Sequence, residues 1–289
     1  MKKNILTLLS FLLIGSTFTS CLKDDSLVLN PAKTNNVIEF ANPGQISSVG
    51  TVYPLYVLAY DYNATKTTAT VPVTISYSGP EAVAPQDITV KVAIGTDAEV
   101  QAYNDEGNQD DELFFMPAAN YTNDALTAVI KKGTSKAVIN FTFDFTKFDL
   151  NKALTLPLTI TEASSGVISG NFKTVLLNIG PKNIFDGLFT FNTTATTSLQ
   201  ANKNDKNVPL VTSGVSTVKT NLLNTYSNII VYNIDPTTFK ATVVSVTPSI
   251  GTPITDPVSN WDPAKKILYV KWAAGTRRFE ETYTYTGSR

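Results

Sequence analysis

From residue 37 onward, apolar side chains recur at every second position, in short runs separated by Gly, Pro, Asn and Asp. Val71, Val73, Ile75 and Tyr77 mark one run, and Ile88, Val90, Val92 and Ile94 a second. Ala137, Ile139, Phe141, Phe143 and Phe145 mark a third. Neighbouring side chains on an extended chain point to opposite faces, so a period of two predicts strands buried on one side. A helical pattern is met once. Thr96-Asp-Ala-Glu99 has capping-box spacing, with the Thr96 hydroxyl capping the first turn and Glu99 reaching back. Val100 and Tyr103 would then face the domain and Gly107 would end the helix. The fold class expected is all-β with one short helix.

Further strands are predicted at 52–60, where Pro54 points to an edge strand or its entry, and at 127–130, 154–160 and 174–179. About seven short strands with regular turn signals predict an Ig-like β-sandwich over 37–182. Gly180-Pro-Lys-Asn183 reads as the boundary. A second unit, 183–289, opens on Phe185-Asp-Gly-Leu-Phe-Thr-Phe191. A polar Asn- and Lys-rich loop is expected at 199–209, then strands near 215–222, 228–233, 240–246, 266–273 and 278–285. That pattern predicts an antiparallel β-sheet or a small, partly closed barrel.

The start of the chain has a different character. Met1-Lys2-Lys3 precedes a short apolar run, residues 5–15, which is too short to span a membrane, and then Cys21. Cys21 is the only cysteine, so it cannot form an internal disulfide. The segment resembles a bacterial lipoprotein signal: residues 1–20 would be removed, Cys21 acylated, and 21–36 left as a tether. More than one acyl chain gives stable anchoring. Lys23-Asp24-Asp25 resembles the surface-export signal of Bacteroidota lipoproteins, and Asp25-Ser26-Leu27 the O-glycosylation tripeptide of that phylum. The expected location is the outer membrane, lipid-anchored and facing the cell exterior.

Composition excludes whole classes of chemistry. The 23 basic residues, less the two of the leader, leave 21 against 24 acidic ones, a net charge of −3. With no basic excess, nucleic acid is not an expected partner. Histidine is absent, which removes Ser-His-Asp and Cys-His catalysis and imidazole metal sites together. Glu280 and Glu281 are adjacent on a predicted strand and point to opposite faces, so they cannot flank one glycosidic bond. No Gly-rich phosphate loop is present. The acidic stretch 105–112 carries oxygen ligands suited to Ca²⁺ but lacks EF-hand spacing, and reads as a solvated loop. No enzyme activity, cofactor or metal is expected.

Several segments resemble a Bacteroidota extracellular domain of unknown function, found at the N-terminus of some endo-β-N-acetylglucosaminidases and in many surface lipoproteins. They are Ile38-Glu-Phe-Ala-Asn42, Val129-Ile-Lys-Lys-Gly133, Leu156-Pro-Leu-Thr-Ile160 with Ala163-Ser-Ser165, and Lys182-Asn-Ile-Phe-Asp-Gly187. Asn260-Trp-Asp-Pro-Ala264, Ile267-Leu-Tyr-Val270 and Arg277-Arg-Phe-Glu-Glu-Thr-Tyr283 look like the second module of such lipoproteins. The resemblance covers roughly 37–187 and implies proteins encoded beside outer-membrane glycan-uptake systems of the Sus type, presumed to bind glycans. The catalytic barrel of the enzymes has no counterpart here.

Sugar binding needs aromatic faces together with amides and carboxylates. Trp261, in what reads as an Asn-Trp-Asp-Pro turn, is expected either to expose its ring or to plug one end of the sheet. Trp272 shares a face with Leu268 and Val270 and reads as core, while Tyr269 and Lys271 lie opposite. Tyr283 and Tyr285 share a face with Phe279 and Glu281 and read equally as core or surface. Trp261 and Tyr269 are thus the candidate ligand-binding residues, and Cys21 the lipidation site. The expected role is a lipid-anchored glycan-binding protein serving an uptake system, with other outer-membrane uptake proteins as partners. The alternative is a non-catalytic adhesion or protein–protein module that recruits a partner along exposed strand edges.

Overall fold

The computed structural model describes residues 35–41, 53–106 and 112–289. The leader, Cys21 and the tether up to residue 34 lie outside these residues. Strands of the first unit are β1 (Val37–Phe40), β2 (Leu55–Asp61), β3 (Thr68–Ser78), β4 (Ile88–Ile94), β5 (Leu113–Phe115) and β6 (Tyr121–Asn123). They continue with β7 (Thr127–Ile130), β8 (Lys136–Asp144), β9 (Ala153–Ala163), β10 (Val167–Ile168) and β11 (Thr174–Lys182). The second unit holds β12 (Gly187–Thr193), β13 (Asn204–Thr212), β14 (Thr217–Asn221), β15 (Ile229–Ile234) and β16 (Ala241–Thr247). It ends with β17 (Pro253–Thr255), β18 (Asn260–Asp262), β19 (Ile267–Ala274) and β20 (Arg277–Gly287). One α-helix, α1 (Asp97–Asn104), follows β4.

Two sheets face each other in the first unit, ordered β10-β1-β3-β8-β6 and β2-β11-β9-β4-β7, with β5 beside β9. The predicted all-β class and its sandwich are present. The alternating residues do what their period requires: Val71, Ile75, Ile88, Val90, Ile139, Phe141, Phe143 and Phe145 are all buried in one core. Short strands β5, β6 and β10 went unpredicted, being two or three residues long. The helix forms where expected. Ala98 N–H donates to the Thr96 hydroxyl at 3.3 Å, and Thr96 N–H donates to Glu99 Oε2 at 2.8 Å. Val100 and Tyr103 are buried against Leu55, Leu113 and Leu176. The helix ends at Asn104, whose side chain bridges both backbone groups of Leu113, and Gly107 lies outside the described residues. Thr96→Ala should cost about 1 kcal/mol, read by urea denaturation, because it orphans first-turn donors.

In the second unit eight strands run in the order β16-β15-β14-β13-β12-β20-β19-β17, with β18 beside β19. The sheet curls until its two ends approach. Val243 N–H on β16 donates to Thr255 Oγ1 at 2.9 Å, Ala241 N–H to Ser259 O at 3.1 Å, and Trp261 N–H to Phe239 O at 2.8 Å. The result is a nearly closed barrel, the second of the two predicted alternatives. Its core of Phe189, Phe191, Leu210, Ile230, Tyr232, Leu268, Trp272, Phe279 and Tyr283 shares no residue with that of the first unit.

One local expectation fails. The 199–209 segment is not a loop throughout: β13 begins at Asn204, and Val208, Leu210 and Thr212 alternate inward behind a polar start. Gly180, Pro181 and Lys182 still belong to β11 and pair in parallel with β2. The connection comes after them, at 183–186. Asn183 anchors it by donating to the carbonyls of Gly214 and Thr217 at 2.9 and 2.8 Å. Asp186 accepts from Thr212 N–H at 2.7 Å and from Arg289 Nε at 3.0 Å.

Candidate binding groove on the C-terminal barrel

The outer face of β17, β19 and β20 carries an open groove of about 650 Å³. Its register is set by the β19–β20 hairpin. Ala274 pairs with Arg277, leaving a two-residue turn, and Gly275 holds the left-handed backbone (φ 60°) that such a turn needs first. Pairing then continues Ala273 with Arg278, Lys271 with Glu280, and Tyr269 with Thr282. On the other side of β19, Ile254 pairs with Ala273, and Asp256 N–H donates to Lys271 O at 2.8 Å. Two rows therefore cross the floor side by side. One reads Ile254, Ala273, Arg278, and the other Asp256, Lys271, Glu280. The depression runs over Ala273, the smallest of the six.

The walls are held by hydrogen bonds to these strands. Ser259 is buried and clips the 256–259 turn to β19, donating its hydroxyl to Lys271 O at 3.1 Å and accepting Lys271 N–H at 3.0 Å. Across the groove, the segment after β12 lies along β20. Ser198 N–H donates to Arg278 O at 2.7 Å, and Thr197 Oγ1 to Glu280 O at 3.0 Å. Thr196 lines the groove from that side.

The groove is electrically balanced: Asp256 and Glu280 face Lys271 and Arg278. Lys271 Nζ sits 3.8 Å from Asp256 Oδ2, a loose and half-exposed contact of the kind worth under about 1 kcal/mol. The Arg278 guanidinium makes no hydrogen bond or ion pair among the described residues. Tyr269 stands at the end of the row, half-buried, its hydroxyl donating to Glu280 Oε1 at 2.7 Å. Burial, then the bond to Glu280, pushes the Tyr269 phenol up to about 12, so it stays a proton donor at neutral pH. Charged donors and acceptors, a hydroxyl row and the apolar wall of Ile254 and Pro257 suit a polyhydroxylated ligand with no net charge.

Trp261 is elsewhere. It lies on β18, not in a turn: the turn comes after it, where Asp262 Oδ1 accepts from Ala264 N–H at 3.0 Å and Lys265 N–H at 3.1 Å. Trp261 is 4% exposed and packs edge-on against Phe185 and Phe189, at centroid distances of 5.4 and 6.4 Å. Of the two placements expected for it, Trp261 takes the plug at the end of the barrel, its indole spent on aromatic contacts and not offered to a ligand. Trp272 is core, as read, stacked on Phe279 at 4.1 Å with its indole turned into the barrel, away from the groove. Tyr283 is buried and Tyr285 half-buried. Of the two candidate residues, then, only Tyr269 reaches the groove's surroundings. Arg278, Asp256 and Ile254 had been passed over, since nothing local to them signals a shared face.

Glu280 and Glu281 do point to opposite faces. Glu281 is fully buried inside the barrel, accepting from the Tyr232 and Tyr283 hydroxyls and from Trp272 Nε1 at 3.2 Å. The acidic stretch lies largely outside the described residues, at 107–111. Among the described residues no three His, Cys, Asp or Glu converge as a metal site, and no helix is long and apolar enough to cross a membrane.

An all-β chain pairing a sandwich with a nearly closed barrel that bears a polar groove is the class these observations define. Residues 187–287 match the family model of a domain of unknown function, DUF7015. Residues 42–167 match a model described as "-like, N-terminal domain", within the stretch that carries the resemblance drawn from the sequence. No curated protein matches the chain. A protein of unknown function from Bacteroides ovatus has the same fold over 86% of this chain and 93% of its own, at 17% identity and a TM-score of 0.59. A multidomain protein including DUF1735, also from B. ovatus, covers 86% and 92% at 18% identity and a TM-score of 0.56. An auxiliary nutrient binding protein from Bacteroides thetaiotaomicron covers 84% and 93% at 15% identity and a TM-score of 0.52. At these identities the likeness is one of fold.

Proposed function

We propose that this chain is a non-catalytic binding protein that takes up neutral glycan in the groove of its C-terminal barrel. The observation that carries the reading is the pair of rows Ile254, Ala273, Arg278 and Asp256, Lys271, Glu280, whose four charges sum to zero. Vicinal hydroxyls suit a guanidinium or carboxylate at two points each, and Tyr269 holds Glu280 in place for that contact. An apolar sugar face would rest on Ile254 and Pro257, since both tryptophans are buried. Support also comes from the nutrient-binding protein of similar fold.

In this reading 37–182 and 183–289 are separate domains. Cys21 carries lipid that holds the protein at the outer membrane with the barrel facing outward, beside other uptake proteins. The first domain then acts as a spacer. The second reading, a protein–protein module, draws on the exposed Ile254 (71%) and Val258 (53%) beside the groove.

A glycan array probed with residues 22–289 tests the proposal. Neutral oligosaccharides should be retained over acidic ones, and Arg278→Ala should lose them. An array that retains no neutral glycan would sink the proposal and favour the second reading.

A further inference from the structure

The chain enters the sandwich at one end and leaves it at the other. Asn35 and Asn36 precede β1, whose Val37 pairs with Ser78 at the end of β3 and with Val167 at the start of β10. The 79–87 segment and the turns at 131–135 and 164–166 meet at the same end. Asn36 Nδ2 donates to Glu81 O at 2.8 Å, Ala84 N–H to Thr134 O at 2.8 Å, and Ser164 N–H to Thr89 O at 2.9 Å. The exit is Lys182, the last residue of β11, beside Asp61. β9, 11 residues long, runs from the exit end, where Thr155 pairs with Asn178, to the entry end, where Ala163 pairs with Val90. At ~3.3 Å per residue the two ends are about 35 Å apart.

The entry end exposes apolar side chains on loops that are themselves pinned. Val83 is 46% exposed and Val167 50%, and Pro80 and Pro85 are exposed with them. Val83 is kept outward because the next residue, Ala84, is buried and bonded through both its backbone groups to the 131–134 turn. Val167 N–H donates to Asn36 O at 2.9 Å, and Gly166 before it has a left-handed backbone (φ 85°) where a Cβ would come within 3.1 Å of Ile38. Lys131 takes up Asp87 at 2.9 Å, and the Tyr77 hydroxyl donates to Glu81 at 2.5 Å. Lys132 and Lys136, both exposed, are left with no acidic partner among the described residues. Beside Val167 lies an open depression of about 440 Å³, lined by Asn35, Tyr77 and Glu81.

We propose that this end of the sandwich seats against the lipid headgroups of the membrane that holds Cys21. Valine and proline tips beside unpaired lysines suit a shallow interfacial contact, in which apolar groups enter the headgroup boundary and ammonium groups meet phosphate. What selects a membrane as the occupant is the route of the chain. Residues 22–34 span at most roughly 45 Å from Cys21, and they join the fold at Asn35, on this surface. So short a tether holds the surface at an effective concentration in the millimolar range, so a contact too weak to retain the free protein is still occupied. With this end down, β9 stands across the layer and the barrel is carried to the far side. The proposal rests on the lipid-anchored reading of Cys21 and gives it an orientation.

Cys21 is the only thiol, so residues 21–289 can be coupled through it to a maleimide-bearing lipid, whether or not a cell acylates it. The vesicles are phosphatidylethanolamine with phosphatidylglycerol, made with and without bromine near the headgroup end of the acyl chains. Trp261 and Trp272 are buried and give a constant background. Val83→Trp and Val167→Trp should each shift emission to the blue on coupling and lose intensity to the brominated lipid. Ile254→Trp, on the barrel, should do neither. Both substituted valines are exposed, and either variant alone suffices should the other not fold. Equal emission from Val83→Trp and Val167→Trp in brominated and ordinary vesicles overturns the proposal, as does quenching of Ile254→Trp as strong as theirs. Fatty-acid labelling of Cys21 in the expressing cell tests the anchor separately, so failure of the anchor and failure of the seat are told apart.

Discussion

Trp261→Ala is expected to destabilise the C-terminal barrel by about 3–5 kcal/mol, the range for emptying a buried aromatic site. The cavity would open between Phe185 and Phe189, where β12 begins and the connection from the first unit enters. For a unit of about a hundred residues this is a fall of more than about 10 °C in Tm. Calorimetry should show the C-terminal transition moving while that of the sandwich stays. A ring exposed in a turn would give a change within about 0.5 kcal/mol, and that result would return Trp261 to the surface. Any loss of ligand binding in this variant should therefore follow unfolding and vanish at low temperature.

The second large effect is a dependence on pH. Glu281 titrates near 7 in the folded barrel and near its ordinary 4.5 when unfolded. The folded state thus holds a proton that the unfolded state has released between these values. By linkage, stability must fall as pH rises from 4.5 to 7, and level off above. A difference of this size corresponds to about 3 kcal/mol, with 1.36 kcal/mol for each pH unit. Urea denaturation at pH 5 and pH 8.5 should show the barrel weaker at the higher pH, and Glu281→Gln should remove most of the difference. Asp87, Asp144, Asp149, Asp205 and Asp235 work in the opposite direction: hydrogen bonds, joined by a neighbouring lysine in all but Asp235, hold them below the ordinary carboxylate range. Their stabilisation is present above 3.8 and lost only in stronger acid, outside the window in which Glu281 acts.

The fold was legible wherever burial imposed a strict period. β3, β4 and β8 alternate because one face packs on a core, and Thr96 with Glu99 marks the helix start through local chemistry alone. β13 was hidden because its first residues, Asn204-Asp-Lys-Asn207, are polar on both faces and alternate only from Val208. Trp261 was misplaced because Asn, Asp and Pro around it signal a turn, which the chain makes just after it. Strand alternation separated Glu280 from Glu281 correctly, yet could not say that two tyrosines and an indole would meet Glu281. The groove was least legible of all. Thr196, Ile254, Asp256, Lys271 and Arg278 share a face only through the register of three strands and a returning segment, and no local pattern encodes that register.

The groove itself is tested most directly by titration calorimetry with the neutral oligosaccharide best retained on the array. Wild-type residues 22–289 and Glu280→Gln would be compared at pH 6. Glu280 contributes a charged acceptor held by Tyr269, worth about 1.5–3 kcal/mol to a bound hydroxyl. The account predicts affinity weakened about ten-fold or more with the Tm unchanged. Equal affinity in the two proteins would contradict it, and would move the binding site away from this face of the barrel.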